Sequence, residues 1–142
     1  MKSFFKHAAL GTALFCSMSA FAASHQNYEC PKLSSIQAEG VQLAYMFEDG
    51  QFAVSQISEY GFEDAQWMFV MAPISTDDEQ EALTMGNSML SKMQGEATPV
   101  AIEDSMACMY DTGNPDIYAL AFNLYDMPDA RSPAAAVRKF IH

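Results

Sequence analysis

The chain has 142 residues, half of them hydrophobic, with 18 acidic against 7 basic side chains and a net charge of −11. A surface of that sign lacks the Lys and Arg needed to neutralise phosphates, which argues against nucleic acid and against direct binding to anionic membranes. The length suits one domain built on one core.

The N-terminus reads as a targeting segment rather than as part of the fold. Lys2, Lys6 and His7 form a positive start, Ala8 to Cys16 a short apolar stretch, and Ala20-Phe21-Ala22 a small-x-small cleavage site; together these predict a secretory signal peptide over residues 1–22. The apolar stretch is shorter than the ~20 residues a membrane span needs. Phe15 is bulky where lipid attachment at Cys16 would want a small neighbour. Cleavage after Ala22 leaves residues 23–142 as a single domain, exported to the periplasm or beyond. It removes two lysines and no acid, taking the net charge from −11 to −13. That acidity serves solubility, or attraction to a cationic partner.

Cys16 leaves with the signal, so Cys30 and Cys108 remain. Export puts such a pair where disulfides persist, and only one pairing exists. Closing that loop would add roughly 4 kcal/mol in the chain-entropy model. The alternative, two free thiols, lacks a histidine near either one in sequence.

Along the domain, Pro31 opens a short helical segment, 31–39, that Gly40 ends. Val41, Leu43, Tyr45 and Phe47 alternate with Gln42, Ala44 and Met46, which is strand periodicity. Asp49-Gly50 is a strong hairpin signal. The return strand carries Phe52, Val54 and Gln56 on one face and Ala53, Ser55 and Ile57 on the other. Tyr60 to Asp64 is a loop. Trp67 to Ile74 is apolar on both parities and too short for a stable helix, so it is predicted as the central strand, buried on both sides. A capping box at Thr76 and Glu79 then predicts a helix from Asp77 to about Lys92, with Gly95 as its left-handed stop. Leu83, Gly86, Leu90 and Met93 share its apolar stripe. Val100, Ile102, Met106, Cys108 and Tyr110 share one parity of the next strand. Asp111 to Asp116 is a turn. Ile117 to Tyr125 is a last apolar strand, and 133–142 a short amphipathic helix with Arg138 and Lys139 exposed. The order β-β-β-α-β-β predicts an α+β fold: an antiparallel sheet of about five strands, one main helix on a face, and one disulfide.

The signal peptide, Cys30-Pro31 at the head of the domain, Trp67 mid-chain and Cys108-Met109-Tyr110 late in it resemble small exported bacterial proteins of unknown function, those of Legionella-type intracellular bacteria in particular. The resemblance implies an exported single domain with a Cys30–Cys108 bridge, released as an effector. It carries over no catalytic residues.

Candidates for chemistry are few. The only histidines after cleavage are His25 and His142, at the two ends, which leaves no histidine for a nucleophile–base device inside the fold. Glu48/Asp49, Glu63/Asp64 and Glu103/Asp104 are adjacent carboxylates, but strand neighbours face opposite ways, so a hydrolase pair would need two elements to converge. Asp77 to Glu81 lacks the pattern of a calcium loop. Met85, Met89 and Met93, at i, i+4 and i+8, are candidate thioether ligands for Cu(I), against the plainer reading of Met as core filler. No cofactor is expected. Since one helix covers one face, an exposed apolar face is the main functional expectation: Trp67, Phe69, Met71, Tyr118 and Phe122 are the candidate binding residues for a protein, an apolar ligand or a second copy of the chain. The alternative is that the C-terminal segment covers that face. The protein is expected to be a non-enzymatic binding module.

Overall fold

In the computed structural model, residues 28–102 and 105–126 are described. The elements in chain order are α1 (Leu33–Glu39), β1 (Leu43–Glu48), β2 (Gln51–Ser58), β3 (Trp67–Ser75), α2 (Glu79–Lys92), β4 (Thr98–Ile102), β5 (Ser105–Tyr110) and β6 (Tyr118–Asn123). The strands form a single sheet in the order β1-β2-β3-β6-β5-β4, and every neighbouring pair is antiparallel. The predicted α+β architecture and central strand are what the chain forms. β3 lies inside the sheet between β2 and β6, with Trp67 to Ala72 buried without a break. Its doubly apolar composition reflects a strand covered on both faces.

Period-two alternation sorts the core into two clusters. Phe52, Val54, Trp67, Phe69, Met71, Cys108, Tyr110, Ala119 and Ala121 point to the first face, where they meet Leu33 and Ile36 of α1 and Ala82 and Leu90 of α2. Ala53, Met68, Val70, Ala72, Ala107, Leu120 and Phe122 point to the second face. Both described helices therefore lie on the first face, with α2 packed on β1, β2 and β3.

Local chemistry explains the joints. Gly50 has φ +72° in the two-residue turn between Glu48 and Gln51, a conformation an L side chain resists. Gly86 permits the approach of helix to sheet: a Cβ there would sit 2.8 Å from Val54 Cγ2. The next residue, Asn87, grips the backbone ahead of β1. Its Oδ1 accepts from the Val41 N–H at 2.9 Å, and its Nδ2 donates to the Val41 carbonyl at 3.0 Å. The predicted disulfide closes between Cys30 and Cys108, with Cα atoms 5.8 Å apart.

Three expectations are corrected. First, α2 begins at Glu79, not Asp77, and its N-cap is Asp78, whose carboxylate accepts from the Gln80 N–H at 3.1 Å. Thr76 is still tied to the sheet, donating its N–H to the Gly50 carbonyl at 3.1 Å, while its hydroxyl donates to Glu81. Second, the helix ends in an extended Met93, two residues before Gly95. Gly95 takes its positive φ in the loop beyond. Third, the sheet has six strands, because 98–110 is a hairpin in which Ile102 pairs with Ser105. That reversal swaps parity, so Val100 and Ile102 face the second cluster while Cys108 and Tyr110 face the first.

Candidate functional site

The five candidate binding residues do not form one surface. Trp67, Phe69 and Met71 lie on the first face, at 2%, 0% and 0% exposure, sealed beneath the helices. Trp67 is packed edge-on to Tyr28 and tilted against Phe62, at centroid distances of 6.2 and 5.5 Å. Phe122 points the other way and is fully buried. Tyr118 alone is open, at 45% exposure. The expected bare face is buried through its centre, and apolar side chains are exposed only around its margin.

Part of that margin is a built cleft. The turn joining β5 to β6 is held by its own polar side chains. Asp111 accepts from the Gly113 N–H at 2.8 Å, and Asn114 Oδ1 accepts from the Asp116 N–H at 2.9 Å. The Thr112 hydroxyl donates to the Asn114 carbonyl at 2.8 Å. This turn and the ends of β4, β5 and β6 enclose about 270 Å³. Met109, Ile117 and Tyr118 supply its apolar lining, and Glu96 and Asp111 its charge. Met109 and Tyr118 share the second face, because Met109 pairs with Leu120, two residues along β6; such diagonal neighbours lie within reach of long side chains. Their joint exposure, 37% and 45%, gives the cleft an apolar wall.

A larger depression of about 600 Å³ adjoins it through Glu96 and runs beside the disulfide, lined by Cys30, Lys32, Gln37 and Met93 among others. Gln37 is committed to structure there, donating through Nε2 to the carbonyls of Leu90 and Met93 at 2.9 and 3.0 Å. It thereby satisfies the Met93 carbonyl just past the end of α2 and shares the Leu90 carbonyl with the Met93 N–H.

Other candidate chemistry is not assembled among the described residues. Each Asp and Glu described is exposed, so no carboxyl is desolvated in the way a general acid is. No group of three His, Cys, Asp or Glu side chains is placed to hold a metal among the described residues. Met93 is core, at 5% exposure, and Met85 and Met89 pack against the same cluster, so the three thioethers serve helix–sheet packing. No described helix is long and apolar enough to cross a membrane. The signal peptide, His25, His142, the Glu103/Asp104 pair and the amphipathic segment 133–142 lie outside the described residues.

Sequence reasoning passed over Met109, Glu96 and Asp111. Met109 was accessible to it: if Cys108 points into the core to make its bridge, its neighbour must point to the other face. The two carboxylates were not, because they reach the cleft from separate loops.

The described residues define an α+β protein with a single antiparallel sheet, stapled by one disulfide and bearing a small acidic, apolar-walled groove at the turn between β5 and β6. The chain belongs to the family described as Domain of unknown function (DUF4949), whose model matches residues 29–134. No curated protein and no solved structure matches it.

Proposed function

We propose that the protein is an exported, non-enzymatic binding module that holds an apolar segment of a positively charged partner protein in the cleft of Met109 and Tyr118. The observation carrying this reading is the pairing of two exposed apolar side chains with two carboxylates, Glu96 and Asp111, around one preformed cleft. An apolar wall supplies contact area and an acidic rim supplies steering, the usual division of labour at protein interfaces. The overall charge of −11 works in the same direction. Export rests on the signal-like residues 1–22 and is supported by the disulfide, which belongs to oxidising compartments. Release from the cell as an effector is the finer version of the same proposal.

The Cu(I) alternative would need Met85, Met89 and Met93 to open away from the core they pack against, and nothing favours it over the cleft. The test is capture of partners with the mature chain and with the Met109→Ala, Tyr118→Ala double variant. A partner retained by the first, lost by the second and weakened by added salt supports the reading. Partners captured equally by both would end it.

A further inference from the structure

The two edges of the sheet are finished differently. At one edge β4 carries Pro99, which has no N–H to offer an incoming strand. At the other, β1 carries neither proline nor lysine, two common means of blunting an edge. Its outer groups follow from the register. The Ser55 carbonyl accepts from the Gln42 N–H at 3.2 Å, so Ser55 turns its backbone toward β1, and Leu43, directly opposite, turns toward β2. Alternation along an antiparallel strand then turns the N–H and C=O of Ala44 and Met46 away from the sheet. The side chains here are open and apolar: Leu43 and Met46 are 49% and 48% exposed, and Ile57 of β2 is open as well. Across β1 and β2 the only charged side chain is Glu48, in a chain with 18 acidic residues. We propose that β1 is the pairing edge of a symmetric dimer, in which β1 of a second copy of this chain adds antiparallel to it and continues the sheet.

A second copy fits because β1 is complementary to itself. A two-fold axis through Tyr45 sets Ala44 opposite Met46 of the second copy, and Met46 opposite its Ala44, which joins every outward N–H of these residues to an outward carbonyl. Moving the axis to Ala44 would call on the Gln42 N–H, which Ser55 already engages. The axis at Tyr45 also brings Leu43 against Phe47 and Tyr45 against its own copy, apolar cross-strand pairs on one face. Charge favours the same register. Glu48 falls opposite Gln42, not opposite a second Glu48, so the one charge of the edge meets an amide that can donate to it. For a chain of net charge −11, pairing with its own copy requires a surface depleted in acid, as interface cores are, and the β1 edge is such a surface. The cleft of Met109 and Tyr118 lies toward the other edge, at β4, β5 and β6, and stays open in both copies.

Light scattering of the mature chain over a concentration series should give a dimer. Added salt should favour it, because screening relieves the repulsion between two acidic copies. Met46→Pro removes an outward N–H and no bond to β2. By symmetry the dimer then loses a hydrogen bond on each side of the axis, and its dissociation constant should rise about tenfold or more with the circular dichroism of the chain unchanged. Two cysteine variants test the register and decide the matter if Met46→Pro does not fold. Tyr45→Cys should close a disulfide between copies on mild oxidation, since residues directly opposite in a non-hydrogen-bonded pair lie within bridging distance. Leu43→Cys, opposite Phe47, should not. A parent chain that stays monomeric at every concentration and salt, a dimer indifferent to Met46→Pro, or linking by Leu43→Cys in place of Tyr45→Cys overturns the proposal. A dimer lost instead in the Met109→Ala, Tyr118→Ala double variant would place the contact at the cleft and overturn it too. If the parent is monomeric and Met46→Pro releases a captured partner, the edge belongs to a strand of that partner, and pairing with a second copy is ruled out.

Discussion

Tyr110 donates its phenolic hydrogen to the carbonyl oxygen of Pro31, a contact between residues 79 apart in sequence. Pro31 follows Cys30, and Tyr110 lies two residues beyond Cys108, so this buried bond and the disulfide fasten the same two segments. The Tyr110 ring also packs edge-on to Phe69 of the central strand, at 5.9 Å. The start of the domain is thus tied to a late strand twice, once covalently and once by hydrogen bonding.

Each tie has its own predicted cost. Tyr110→Phe keeps the ring on Phe69 but leaves a buried Pro31 carbonyl without its donor, and should cost about 1–3 kcal/mol. Cys30→Ser with Cys108→Ser should cost about 2–5 kcal/mol. Because both act on one joint, the triple variant should depart from the sum of the separate losses. Urea unfolding of the four proteins measures all three quantities; strict additivity would show that the two ties are independent.

The same tyrosine makes stability depend on alkaline pH. Burial, and secondarily Tyr60, pushes the Tyr110 phenol well above its ordinary value of 10.0; burial, and secondarily Glu39, does the same to Tyr60. Below about pH 10 both phenols are neutral whether the chain is folded or not, and contribute no pH dependence. Above it the unfolded chain releases protons that the folded chain retains, so stability falls as pH rises. Each tyrosine should contribute a slope of about 1.4 kcal/mol per pH unit until its folded-state pKa is reached. Tyr110→Phe should remove its share of that slope; an unchanged slope in both Tyr110→Phe and Tyr60→Phe would sink the account.

Gly86→Ala sets helix propensity against packing. Alanine gains about 1 kcal/mol over glycine within a helix. The added Cβ would lie 2.8 Å from Val54 Cγ2 and 3.4 Å from both Ile74 Cδ1 and Val41 Cγ2. Val54 and Val41 are stiff at χ1 and fully packed, so overpacking of about 1–3 kcal/mol should outweigh the gain. Thermal unfolding should show Gly86→Ala below the parent, and a raised midpoint would contradict this helix–sheet distance.

How far the fold could be read in advance follows from where the signals are local. The Asp49-Gly50 hairpin, the Trp67–Ile74 run and the helix stripe with Lys92 at its end each lie within one short window, and each gave the right element. The two strands of 98–110 did not separate, because Glu103-Asp104 carries no Gly or Asn to mark the reversal and parity continues smoothly across it. Thr76 satisfied a capping pattern, yet its N–H was already engaged by Gly50 from a distant turn, and tertiary pairing outweighed the local motif. The candidate site failed for a related reason. An apolar strand reads the same whether its faces are bare or covered, so Trp67, Phe69 and Met71 looked available when α1 and α2 already covered them.

That distinction yields the sharpest separation among the five residues first singled out. Phe69 and Phe122 are fully buried on opposite faces, and truncation of either to Ala should cost about 3–5 kcal/mol through the cavity it leaves. Tyr118 is 45% exposed at the cleft, and Tyr118→Ala should stay within about 0.5 kcal/mol of the parent, as surface changes usually do. Loss of partner binding in Phe69→Ala would therefore say little, since the scaffold itself is weakened. Loss in Tyr118→Ala, with chemical denaturation unchanged, would locate recognition at the cleft. Were Tyr118→Ala as destabilising as Phe69→Ala, the tyrosine would be part of the packing, and the cleft would lose its claim to be a binding surface.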